Sequence, residues 1–76
     1  MILTELEKKI IKLVYEKKSS REIYKILGVT PNSVNSHIYQ LNRYYPSKNR
    51  FELAKKLMNK IMLEEKYEQL KETKDS

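Results

Sequence analysis

Six side chains between residues 32 and 43 could do chemistry together: Asn32, Asn35, Ser36, Tyr39, Gln40 and Arg43. They fall between the apolar positions Val34, Ile38, Leu41 and Tyr45, so one helix would carry a hydrogen-bonding face and a packing face. The available chemistry is non-covalent, with amide, hydroxyl and phenol groups that donate and accept and one guanidinium at the end. No Lys or Arg occurs from Gly28 to Asn42, and the flanking cations are Lys17, Lys18, Arg21, Lys25, Arg43, Lys48 and Arg50. A neutral surface inside a cationic rim suits a duplex nucleic acid, where the rim holds phosphates and the centre meets base edges. Base contacts are expected from Asn32, Asn35, Ser36, Tyr39 and Gln40. Phosphate contacts are expected from Lys17, Lys18, Ser19, Arg21, Thr30, Ser33, His37, Arg43, Lys48 and Arg50. Asn and Gln pair best with adenine, which predicts a half-site leaning toward A·T.

Covalent chemistry has little to work with. The chain has no cysteine and one histidine, and its carboxylates are scattered over separate segments. That leaves no nucleophile and base in register, no thiolate metal site and no glycine-rich phosphate loop. His37 lies at the edge of the apolar stripe and reads as a packing or phosphate-contacting residue. No enzyme activity, cofactor, metal or small-molecule ligand is expected. The net charge of +6 favours an anionic partner. It is concentrated in residues 1–62, which hold 13 Lys or Arg against 5 Asp or Glu; residues 63–76 hold 3 against 5.

The elements that must position these groups are legible from punctuation. Thr4 caps a first helix near 5–17 with Leu6, Ile10, Leu13 and Val14 inward and Lys8, Lys9 and Lys12 outward. Ser19 with Glu22 three residues on is a capping box that opens a second helix near 20–27, with Ile23, Ile26 and Leu27 inward and Gly28 ending it. Thr30-Pro31 starts a third near 31–45, closed by Pro46. Asn49 with Glu52 opens a fourth near 50–66, apolar over a broad arc at Phe51, Leu53, Ala54, Leu57, Met58, Ile61 and Met62. At 76 residues there is room for one all-α, four-helix domain. Residues 1–63 form that domain, and 64–76 form a charged tail that extends the fourth helix, with Tyr67 and Leu70 as late contacts, and frays from Thr73 to Ser76. Three small helices cannot cover both flanks of the fourth, which predicts a homodimer through Leu53, Leu57, Met58 and Ile61.

Two short helices joined at Gly28, the second freshly capped, have the helix-turn-helix layout. Several stretches resemble the DNA-binding domain of LuxR and GerE-type regulators, within the winged-helix-like DNA-binding class. These are Leu3-Thr4 with Glu7; Ser19-x-Arg21-Glu22-Ile23; Leu27-Gly28-Val29-Thr30-Pro31-x-Ser33-Val34-x-x-His37; and Lys48-Asn49-Arg50-x-Glu52-Leu53-Ala54. The resemblance runs from about residue 3 to 58. It implies a third helix in the major groove, a dimerising fourth helix, a two-fold related site and base contacts at Asn35, Ser36 and Tyr39. The chain departs from the family's habit in having Asn35 for Lys, Tyr24 for Ala, and Lys17 and Pro46 for Gly. It resembles the stand-alone GerE type, without a receiver or ligand-binding domain.

The expected function is therefore that of a sequence-specific, double-stranded DNA-binding transcriptional regulator. One alternative is a module like sigma-factor region 4, which binds promoter DNA and RNA polymerase. Another is a protein-interaction module that heterodimerises with related regulators and silences them. No apolar run approaches a membrane span and the opening residues lack an export signal's pattern, so no membrane partner and a cytoplasmic location are expected.

Overall fold

The computed structural model describes residues 3–74, with side chains described for residues 3–67. It contains four helices in chain order: α1 (Glu5–Tyr15), α2 (Ser20–Leu27), α3 (Pro31–Tyr44) and α4 (Arg50–Lys74). No strand occurs among the described residues.

Each helix begins where a short polar side chain satisfies N–H groups that no helical carbonyl reaches. At α1 the Glu7 N–H donates to Thr4 Oγ1 (3.1 Å) and the Thr4 N–H donates to Glu7 Oε1 (3.0 Å). At α2 the same reciprocal pair joins Ser19 and Glu22, both bonds at 3.1 Å. Thr30 Oγ1 accepts from the Ser33 N–H at 3.3 Å, and Asn49 Oδ1 accepts from the Glu52 N–H at 2.9 Å.

The ends are as specific as the starts. α1 stops two residues earlier than its sequence suggests, because Lys17 turns into the left-handed region at φ 66. The Lys17 N–H then donates to the Val14 carbonyl (2.9 Å) and the Lys18 N–H to that of Leu13 (3.0 Å), a Schellman closure. α2 closes at Gly28, φ 75, whose N–H donates to the Tyr24 carbonyl at 2.7 Å. α3 ends one residue short of the expectation, ahead of Pro46, with Ser47 N–H donating to Asn42 Oδ1 at 2.9 Å. α4 extends through the tail to Lys74, past Thr73, where fraying is expected from sequence. The expected contact at Leu70 lies outside the residues whose side chains are described.

The core is formed by Leu3, Ile10, Ile11, Val14, Ile23, Val34, Leu41, Leu53, Ala54, Leu57 and Ile61. Burying each Leu, Ile or Val contributes about 1.5–3 kcal/mol. α1 packs along α4, α2 packs on α3, and α3 also touches α4. The apolar stripe of α1 differs from the expected one: Leu3 and Ile11 are buried, Leu13 is half-buried and Leu6 faces outward. Leu3, Glu7, Ile10, Ile11 and Val14 lie on one helical face, which rotates Leu6 off it. In α2 only Ile23 is fully buried, and Ile26 is exposed rather than inward. Across the outside of the α1–α4 seam, Lys12 Nζ meets Glu65 Oε1 at 2.9 Å and Lys8 Nζ meets Glu64 Oε2 at 3.7 Å.

Candidate nucleic-acid interface

The turn from Gly28 to Thr30 swings α3 away from α2, and the Val34 and Leu41 anchors turn the opposite face of α3 outward. On that face Asn32, Asn35, Ser36, Tyr39 and Gln40 line one shallow depression. The five groups expected to read bases are thus brought together, and all are exposed, Tyr39 by 66%. Gln40 continues into a second depression with Arg43 and Tyr44. Tyr44 is also 66% exposed and was not among the sequence candidates. It sits one residue from Tyr45, which takes the packing position that the helical period assigns to it.

A third cleft runs between α3 and the start of α4, where Asn35, Tyr39 and Asn42 face Lys48, Asn49 and Arg50. Among the described residues Lys18, Arg21, Arg43 and Lys48 enter no ion pair, whereas Lys8 and Lys12 are matched by Glu64 and Glu65 on the opposite edge. These four lie around the α2–α3 half, and among the described residues Lys9 on α1 and Lys55 on α4 are likewise without an ion pair. Lys17 Nζ is 5.4 Å from the centroid of the Phe51 ring, whose face stacks on Tyr15 with centroids 5.7 Å apart. Thr30, Ser19 and Ser33 stand at helix starts: the hydroxyls of Ser19 and Thr30 already accept capping bonds, and Ser33 is exposed.

Two of the expected phosphate contacts are drawn inward. Arg50 is half-buried; its Nη1 donates to Ser20 Oγ (3.0 Å) and its Nη2 to the Lys18 carbonyl (3.4 Å). It braces the start of α4 against the start of α2 instead of standing free in the rim. Ser20 Oγ in turn donates to Asn35 Oδ1 at 2.9 Å. Ser20 was missed from sequence because its neighbour Ser19 accounts for the cap. His37 turns Nδ1 toward Glu7 Oε2 at 3.7 Å, and that nitrogen is buried without a hydrogen-bond partner. Glu7 is the buried charged residue of the core, and His37 on α3 lies against α1 at that point.

The expected dimer seam needs a larger correction. Leu53, Leu57 and Ile61 are at most 1% exposed, packed inside their own protomer, and Met58 is half-buried. The apolar arc of α4 is broad, but its inner flank is consumed by α1 and α3. What remains outward is Met62, Leu63 and Tyr67, exposed by 59%, 68% and 69%.

Electrostatics at the site are simple. The Ser19 N–H donating to its carboxylate holds Glu22 below the ordinary value of 4.5, with help from the Ser19 hydroxyl and from Lys18 and Lys25 nearby. Among the described residues no cluster of His, Cys, Asp or Glu is placed to hold a metal ion. No helix among them is long and apolar enough to cross a membrane.

A capped helix pair with a hydrogen-bonding outer face is shared by many folds, and the family model decides among them. The GerE model, described as bacterial regulatory proteins of the luxR family, matches residues 1–57. The chain belongs to the luxR family. No curated protein and no solved structure matches it. Membership makes it a helix-turn-helix regulatory protein of a DNA-binding class, and the match ends within α4, at Leu57. Two departures of this luxR-family chain acquire a structural meaning. Tyr24, where the resemblance favours alanine, points outward and leaves the α2–α3 packing undisturbed. Lys17, where it favours glycine, sits at positive φ, the conformation for which a glycine carries no steric penalty.

Proposed function

We propose that this luxR-family protein is a sequence-specific regulator that lays α3 in the major groove of double-stranded DNA and acts as a homodimer. The observation that carries this reading is the uncharged depression formed by Asn32, Asn35, Ser36, Tyr39 and Gln40, set among cations that enter no ion pair. A base edge is met by donors and acceptors, while phosphates need charge, and the two requirements are met by different residues here. Arg43 and Lys48 approach from the C-terminal end of α3, and Lys18 and Arg21 from the start of α2.

Dimerisation is assigned to the outward flank of α4, through Met62, Leu63 and Tyr67 with the edge of Met58. Three large apolar side chains within six residues, on a 25-residue helix, favour a helix-on-helix contact. Such a contact places two α3 helices about a two-fold axis, as a pair of half-sites one duplex turn apart requires.

Binding to a randomised duplex library, followed by a salt titration on the selected site, tests the reading. A symmetric, enriched site is expected. If four cations per protomer meet phosphates, the slope of log K against log salt is about −3.6 for each protomer. Failure to enrich any site, or a flat salt response, contradicts the proposal. Leu63→Glu should halve the sedimenting mass without unfolding the chain, and an unchanged mass would reject this flank as the seam.

A further inference from the structure

We propose that Arg50 and Ser20 set the orientation of the Asn35 side-chain amide, so that Asn35 meets a base through its NH2 group and selects guanine. The proposal rests on the DNA-reading function above and deepens it by naming what one reader reads.

The donors and acceptors run in one direction along this relay. Arginine only donates, so at the 3.0 Å contact between Arg50 Nη1 and Ser20 Oγ the serine oxygen must accept. The serine's own proton is then left to donate, and it does so to Asn35 Oδ1 at 2.9 Å. An asparagine amide has one acceptor end and one donor end. With the acceptor end turned back toward α2, the NH2 end faces the depression shared with Asn32, Ser36, Tyr39 and Gln40. A positive donor behind the serine polarises its hydroxyl and strengthens the second bond. Arg50 is itself held in place, because Nη2 donates to the Lys18 carbonyl at 3.4 Å while the side chain is half-buried. The relay therefore joins the starts of α2 and α4 to the middle of the exposed face of α3, across thirty residues of sequence.

The orientation changes the code. A free asparagine favours adenine because it accepts from N6 with its oxygen and donates to N7 with its nitrogen. Here the oxygen is committed to Ser20, and an NH2 group brought to adenine would face the N6 donor. Guanine offers N7 and O6 side by side, both acceptors, and suits an NH2 group alone. The A·T preference expected from composition is thereby replaced, at the base pair beneath Asn35, by G·C.

Site selection with the full chain tests this. The wild-type protein should enrich guanine at one position of each half-site, and Asn35→Ala should flatten that position and so identify it. Ser20→Ala frees the asparagine oxygen, and the same position should shift toward adenine by about tenfold or more in relative preference, with affinity for the best site within about threefold. Arg50→Met should shift it in the same direction by less. A Ser20→Ala profile that keeps the wild-type preference would overturn the assignment. The free protein supplies a second readout: the Asn35 side-chain carbonyl carbon resonance should move upfield in Ser20→Ala, as an accepted hydrogen bond is lost, and an unmoved resonance would show that no relay exists. If the wild-type chain enriches no duplex, the DNA reading fails and the base preference fails with it, while the resonance still decides the amide's orientation.

Discussion

The α1–α4 half and the α2–α3 half of this small protein are built on opposite plans. The first supplies Leu3, Ile10, Ile11, Val14, Leu53, Ala54, Leu57 and Ile61 to the core, the second only Ile23, Val34 and Leu41. The first pairs Lys8 and Lys12 with Glu64 and Glu65; the second pairs none of Lys18, Arg21 and Arg43 and fills its outer face with amides and hydroxyls. The difference shows how four helices can divide burial and an exposed polar face between two pairs. Burial concentrated in one helix pair leaves the other free to spend side chains on an exposed face, with three apolar anchors enough to fix its orientation.

The sharpest way to break the contrast is to attack the α1–α4 half. Ile61→Ala should destabilise the fold by about 2–5 kcal/mol in chemical denaturation, a large part of the stability of any small domain. On the reading side, Asn35→Ala should cost about 1–3 kcal/mol of discrimination at one base pair and leave the unfolding midpoint almost unchanged. Should its stability fall as far as that of Ile61→Ala, the separation of roles would be wrong. At the boundary between the halves, Lys17→Gly relieves a left-handed residue and should stabilise the fold by about 0.5–1 kcal/mol, since glycine's greater unfolded-state freedom offsets part of the relief. A lower denaturation midpoint would indicate that the Phe51 contact outweighs the backbone.

The smallest expected effect concerns pH. Glu22 is held below 4.5 by the capping box, and a depressed folded value stabilises the protein above the unfolded value. That contribution is complete above about pH 4.5 and is lost as pH falls through the folded value. Glu22→Gln should flatten this part of the acid limb of a stability-versus-pH curve, and an unaltered limb would show that the cap carries no such linkage.

Much of the fold was legible before any coordinates. Thr4, Ser19, Thr30 and Asn49 each cap a helix start, Ser19 and Asn49 as their spacing to Glu22 and Glu52 suggests and Thr30 as its place before Pro31 suggests, and Gly28 ends α2. The candidate reading face was equally legible, because Val34 and Leu41 assign the remaining positions of α3 outward. The facing of α4 was not. Leu57 and Leu63 are the same residue type on the same helix, one wholly buried and the other mostly exposed. A broad apolar arc says that a helix has neighbours without saying which flank the protomer itself will cover.

What the chain determined alone is what acts over three or four residues: caps, helix ends, and the division of α3 into a packing face and a polar face. These follow from local hydrogen bonds and the helical period, which any reader of the sequence can apply. Tertiary structure alone decided that Arg50 braces Ser20 and, through it, Asn35, that His37 leans on Glu7, and that the expected seam of α4 is core. Each depends on groups separated by fifteen to more than thirty residues. Their meeting is set by how the four helices share a limited apolar surface, and no local spacing encodes that.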